Sequence, residues 1–134
     1  MTPFQLKIVT PDGLIYDGTA EELIVRTTGG DVGILARHMN YVAPLGMGRA
    51  VVIADGMRRN AACIGGMVSV VNGEVTLVPT TFEWSEQIDL ERAERAYQKA
   101  EKILNDQNAS ATDLRLAEAK LHRALVRKSV ASYK

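Results

Sequence analysis

Glu83-Trp84-Ser85-Glu86-Gln87-Ile88-Asp89-Leu90-Glu91-Arg92-Ala93 is where the chain changes character. Strand signals lie before it and helix signals after it. Short alternating runs, punctuated by Asp55-Gly56 and Asn72-Gly73, lead up to Trp84. Two alanine-rich amphipathic segments joined by a polar loop follow. The reading is a segregated α+β chain, with a β-sandwich or barrel over residues 1–84 and an antiparallel two-helix hairpin over residues 85–134.

Working back from that junction, Phe4, Leu6 and Ile8 alternate with Gln5 and Lys7, as a half-buried strand requires. Thr10-Pro11-Asp12-Gly13 is a turn, because proline presets φ and glycine accepts a positive one. Extended structure resumes at Leu14–Tyr16 and again at Glu22–Thr27. Arg49–Ala54 and Met57–Ile64 flank Asp55-Gly56, while Gly66–Val71 and Glu74–Val78 flank Asn72-Gly73. Both dipeptides suit a two-residue type I′ turn, whose central residues both take positive φ. About eight to ten short strands at this spacing leave no room for crossover helices.

Working forward, Leu90, Ala93, Tyr97, Ala100 and Leu104 step by threes and fours, and Leu114, Ala117, Leu121 and Ala124 repeat the pattern. Small residues at alternate seam positions let the two axes approach closely. Asp89 offers an oxygen to the free amides of the first turn. Asn105 to Ala111 reads as loop, with Ser110 or Thr112 as the cap of a second helix running from Asp113 to Tyr133, about 30 Å at 1.5 Å per residue. Two helices share only one seam, so each needs a further surface, on the β part or on another protein.

The 134 residues carry sixteen basic and sixteen acidic side chains, unevenly spread. Up to Glu86 six basic residues face nine acidic; from Gln87 onward ten face seven. At the end Arg115, Lys120, Arg123, Arg127, Lys128 and Lys134 stand against Glu118 alone. A basic helix of this kind suits nucleic acid, an anionic membrane, nucleotide phosphates or an acidic protein face. The last helix lacks the interleaved aromatics of a nucleic-acid binder, Tyr133 being its only one. Cys63 is the single cysteine, which excludes an internal disulfide and, within Ala61-Ala62-Cys63-Ile64, reads as a buried structural thiol. No apolar run is long enough to cross a membrane and no signal peptide opens the chain, so the expectation is a soluble, unexported protein.

Gly29-Gly30-Asp31-Val32-Gly33 tempts a phosphate-loop reading, but the closing Gly-Lys-Ser/Thr is missing, and a tight corner between strands fits better. His38 has no carboxylate or thiol at motif spacing. A sandwich-type enzyme using His38 and Asp31 is therefore the weakest of the alternatives. No metal-ligand cluster and no catalytic constellation emerges.

Val9-Thr10-Pro11-Asp12-Gly13, Gly30-Asp31-Val32-Gly33-Ile34-Leu35 followed by His38, Ala43-Pro44-Leu45, Gly65-Gly66-Met67 and Ile88-Asp89-Leu90-Glu91-Arg92-Ala93 occur in an order and spacing that resemble the epsilon subunits of bacterial F-type ATP synthases, over nearly the whole length. Asn40 stands where that family often has proline, and Met67 where it usually has an aromatic. The resemblance implies a ten-stranded β-sandwich followed by the hairpin, without a catalytic site of its own. It implies a rotor subunit seated on the gamma subunit and the c-ring, peripheral to the cytoplasmic face of the bacterial plasma membrane and attached to it only through the complex. The mobile hairpin is expected to hinder ATP hydrolysis by reaching the beta (and alpha) subunits, with Arg115, Arg123, Arg127 and Lys128 as the contacts to beta. No cofactor is required, and ATP is the one regulatory ligand implied. Carried over by position, its site comprises Glu83, Ile88, Asp89, Arg92, Ala93, Lys99, Arg123 and Arg127, with Lys99 standing where arginine would be the stronger phosphate ligand. The alternative is a free-standing ATP-binding sensor that keeps the hairpin site and lacks the complex.

Overall fold

A computed structural model describes residues 2–133. Up to Trp84 the chain forms eight strands: β1 (Phe4–Thr10), β2 (Gly13–Ala20), β3 (Glu22–Thr27), β4 (Gly30–Ile34), β5 (Tyr41–Pro44), β6 (Met47–Ala54), β7 (Met57–Val71) and β8 (Glu74–Trp84). A 3-10 turn at Ser85–Gln87 precedes helices α1 (Leu90–Leu104) and α2 (Ala111–Ala131). The chain divides into two compact units between Trp84 and Ser85. Lys134, counted above with the basic run, lies outside the described residues.

The expected turns form for the expected reason. Asp55 and Gly56 take φ of 52° and 73°, and Asn72 and Gly73 take 50° and 81°, closing the β6–β7 and β7–β8 hairpins. Gly30, at φ 120°, opens β4 where Thr27 pairs with it, so the glycine-rich stretch is a strand corner.

The strand count differs from ten because β7 and β8 each run through both layers. The first half of β7 pairs with β6, from Ala54↔Met57 to Met47↔Ile64. Its second half pairs on the same edge with β5, from Pro44↔Met67 to Tyr41↔Val70. Along the other edge β8 follows it throughout, from Ala61↔Trp84 to Val71↔Glu74, with Gly65 skipped in the register. Gly65 and Gly66, at φ 68° and 96°, bend the strand there rather than ending it. β1 pairs in parallel with the start of β8 and antiparallel with β2, while β3 pairs with β6 and β4. The layers are thus β2-β1-β8-β7-β5 and β8-β7-β6-β3-β4, ten segments from eight continuous strands. All eight strands send side chains to one core, among them Leu6, Ile8, Leu23, Val25, Ile34, Val68 and Leu77. Burying each such side chain stabilises the sandwich by about 1.5–3 kcal/mol.

In the helical unit Asp89 caps α1, accepting the Arg92 backbone N–H at 3.1 Å. Ser110 is the cap of α2. Its hydroxyl accepts the Asp113 N–H at 3.0 Å and its own N–H donates to the Asp113 carboxylate at 3.4 Å. The helix therefore starts two residues before Asp113, and it ends at Ala131, short of Tyr133. The seam is made of Ala93, Ala100, Ala117 and Ala124, all buried. Leu90 departs from the expected seam, being 48% exposed. It is the first residue of α1, where the seam gives way to the Ser85–Gln87 turn, and the longer α2 runs on past it toward that turn. Tyr97, Leu104, Leu114 and Leu121 are half-buried, because alanines draw the axes together and leave larger side chains at the rims.

Candidate functional site

The residues singled out in the sequence fall on three elements. Ile88, Asp89, Arg92 and Ala93 surround the start of α1, and Lys99 lies two turns further on. Arg123 and Arg127 stand one turn apart on the second half of α2. Glu83 lies on β8, opposite Ala62, in the other unit.

Within the helical unit the hairpin geometry groups the cations. Lys128 Nζ lies 2.8 Å from Glu94 Oε2, so the end of α2 runs beside the start of α1 and the helices are antiparallel. Ala93 and Ala100, like Ala117 and Ala124, recur every seven residues, giving both helices a heptad phase. Arg92, Lys99 and Arg123 each immediately precede a seam alanine, and Arg127 stands on the same flank as Arg123. Exchanging two antiparallel helices by a half-turn about the normal to their common plane leaves the front rim at the front. The same flank of both helices therefore shares one rim, and these four cations line it. Among the described residues Arg92, Lys99 and Arg123 have no carboxylate within ion-pair distance. The free amides at the start of α1 add positive potential at that end.

The other site residues have different parts. The Asp89 carboxylate is engaged as a cap. Ile88 and Ala93 are buried, so they contribute shape rather than charge. Of the expected beta-subunit contacts, Arg115 is exposed on α2, Arg123 and Arg127 are half-exposed, and Lys128 is tied to α1. Its ammonium also lies 4.3 Å from the centre of the Tyr97 ring.

Sequence reasoning missed that cluster. Glu94, Tyr97 and Lys128 meet only across the hairpin, although a lysine one heptad step past Leu121, in the seam, was the available signal. It also missed an apolar patch on the outer face of β5, β7 and β8. Val42, Met67, Val71 and Val78 are 63%, 43%, 51% and 45% exposed, and Met67 and Val78 stand directly opposite each other. Doublets such as Met67-Val68, Val70-Val71 and Leu77-Val78 break the two-residue period and mark strands that are apolar on both faces.

The remaining candidates are occupied structurally. Asp31 pairs with Arg26 at 3.4 Å. His38 has its Nδ1 2.8 Å from the Met39 carbonyl oxygen and its ring edge-on to Tyr41. Burial pushes the Cys63 thiol up to about 12, which leaves no thiolate for nucleophilic chemistry at neutral pH. Among the described residues no group of three His, Cys, Asp or Glu side chains could hold a metal, and no helix is long and apolar enough to cross a membrane.

Residues 3–85 match the family described as ATP synthase, Delta/Epsilon chain, beta-sandwich domain, and residues 86–132 match ATP synthase, Delta/Epsilon chain, long alpha-helix domain. The chain is 42% identical to the ATP synthase epsilon chain of Ruminococcus albus over the full length of both. It is 39% identical to that of Shouchella clausii, covering all of this chain and 98% of the relative. Among solved structures, a chain of the Euglena gracilis mitochondrial ATP synthase OSCP/F1/c-ring assembly superposes with a TM-score of 0.85 at 22% identity, covering all of this chain and 83% of the other. A chain of the Tetrahymena thermophila mitochondrial ATP synthase central stalk and c-ring superposes at 0.68 and 8% identity, covering 95% of each. The chain belongs to the ATP synthase delta/epsilon family, whose members combine a β-sandwich domain with a long α-helix domain.

Proposed function

We propose that this chain is a non-catalytic rotor subunit that seats on a gamma-type subunit and a c-ring, and whose hairpin restrains ATP hydrolysis. The observation that carries the seating is the outward apolar row of Val42, Met67, Val71 and Val78, which a lone sandwich has no reason to present. It suits a partner surface that is apolar at its centre. Attachment to the cytoplasmic face of the plasma membrane then comes through the c-ring. The restraint is read from the basic last helix, where Arg115, Arg123 and Arg127 would meet acidic segments of the beta subunits while alpha and beta enclose them. The test is hydrolysis by the assembled complex with and without this chain. The expected result is slower hydrolysis with the chain present and relief when Arg115, Arg123 and Arg127 are neutralised together. Unchanged inhibition in that triple variant removes the electrostatic account.

ATP as a regulatory ligand is supported by the rim of Arg92, Lys99, Arg123 and Arg127, four cations on one side of the hairpin with the start of α1 beside them. Calorimetric titration of ATP into the chain is expected to give saturable heat. NMR shifts should appear in α1 and α2 and not in β3 or β4. The same site serves the second reading, a free-standing ATP sensor, which predicts binding without co-purification of a rotary ATPase.

A further inference from the structure

The two helices meet through methyl groups. Ala93, Ala100, Ala117 and Ala124 bury little apolar surface each, so the seam holds weakly per turn. At the end remote from the 105–110 loop a different contact appears. Lys128 occupies a seam position, where an apolar residue would continue the pattern. Its ammonium is 2.8 Å from Glu94 Oε2 and 4.3 Å from the centre of the Tyr97 ring. The lysine and glutamate side chains are 28% and 44% exposed, so the pair is partly shielded from water and salt.

We infer that Lys128 is a latch: it fastens the open end of the hairpin, and while it does so its charge is withheld from any outside acidic partner. Glu94 and Tyr97 together supply what an acidic protein segment would have to replace, a carboxylate and a desolvated face. Engagement of Lys128 by such a segment and closure of the hairpin therefore exclude each other. By linkage, whatever loosens the latch strengthens outside binding by the same factor. The regulatory meaning of the latch rests on the inhibitory reading above, whereas the latch itself rests on these three side chains.

The decisive variant is Glu94→Gln, which breaks the latch and leaves every cation and the helix propensity in place. Amide exchange of the full chain, followed residue by residue, is the readout. Glu94→Gln and Tyr97→Leu should each speed exchange in the first half of α1 and the last turns of α2 by roughly five- to thirtyfold, with strands β7 and β8 unchanged. Tyr97→Phe, which keeps the ring face, should remain near wild type. Raising salt from about 0.05 to about 0.5 M should loosen the wild type toward Glu94→Gln and move that variant little. Exchange that stays at the wild-type rate in Glu94→Gln, or rises equally in the strands, overturns the latch. In the assembled ATPase the same variant should hydrolyse ATP more slowly than wild type. Faster exchange with unchanged hydrolysis would keep the latch and remove the inhibitory reading, which separates the two.

Discussion

Gly66 crosses the Val78 carbonyl so closely that a β-carbon on it would lie 2.0 Å from that oxygen, against backbone that has no room to give. Its φ of 96° adds a second obstacle to any other residue. Gly66→Ala should therefore destabilise the sandwich by about 2–4 kcal/mol, combining overpacking with backbone strain. Urea unfolding of the full chain measures it. A loss within about 0.5 kcal/mol, the range of ordinary surface changes, would mean that the two strands do not meet in this way.

Val78→Glu and Met67→Lys place charge on the outward row without touching the core. Stability should stay within about 0.5 kcal/mol of wild type, because both side chains face water in the free chain. Binding to a gamma-type subunit should fall by roughly tenfold or more for each, as expected for charge at the centre of an apolar contact. Surface plasmon resonance against the purified partner tests both. Undiminished affinity in the two variants would exclude this face as the seat.

Lys99→Arg exchanges a point charge for a bidentate fork on the rim shared with Arg123 and Arg127. ATP affinity should rise several-fold, while Arg123→Gln should lower it roughly tenfold or more, the scale of one lost charge-assisted contact. Calorimetry at fixed salt gives both values. Equal affinity across the three proteins would remove the rim from the nucleotide site.

Cys63 supplies a pH prediction with a definite sign. Burial raises its thiol from 9.0 to about 12, so the folded chain holds this proton over a range in which the unfolded chain releases it. Its contribution is unchanged below pH 9 and turns against the fold as pH climbs from 9 toward 12, by about 1.4 kcal/mol per pH unit. Cys63→Ala should flatten that limb of the stability curve, at some cost in packing. The native thiol should also resist alkylation near pH 8 and react once the chain is unfolded in urea.

The helix cap allows an independent check of the hairpin. Ser110→Ala removes the hydroxyl that accepts the Asp113 N–H and should cost about 0.5–2 kcal/mol, seen as faster amide exchange in the first turns of α2. Thr112→Ala should do much less, since Thr112 is an exposed residue inside the helix. Equal effects would reassign the cap.

What was legible in the chain depended on how local its cause was. Asp55-Gly56 and Asn72-Gly73 announced their hairpins because two adjacent residues determine such a turn. The seam alanines were readable because a heptad repeats within one helix. Gly65-Gly66, by contrast, looked like the entry to a new strand. Whether glycines end a strand or bend it depends on the neighbour, here β8, which continues past them with one residue skipped. Leu90 fitted the seam by spacing, yet it stands in the first turn of α1 and is exposed, and spacing within one helix cannot report which of its residues the other helix covers. The cluster of Glu94, Tyr97 and Lys128 was hidden for the same reason, as was the shared rim, which exists only once the helices are antiparallel. The outward row of Val42, Met67 and Val78 left a trace in broken alternation, though alternation alone does not say which of two apolar faces is covered.

One hairpin, β7 with β8, is woven through both layers of the sandwich, so neither layer can slide or rotate against the other without stripping backbone hydrogen bonds across that piece. Two separate sheets pressed together by side chains alone would yield by shear along the oily plane between them. Here that mode is blocked by covalent continuity, and a twisting force applied at one edge is carried to the opposite edge along the main chain. The sandwich is stiff in torsion for a topological reason, independent of which aliphatic side chains happen to fill it.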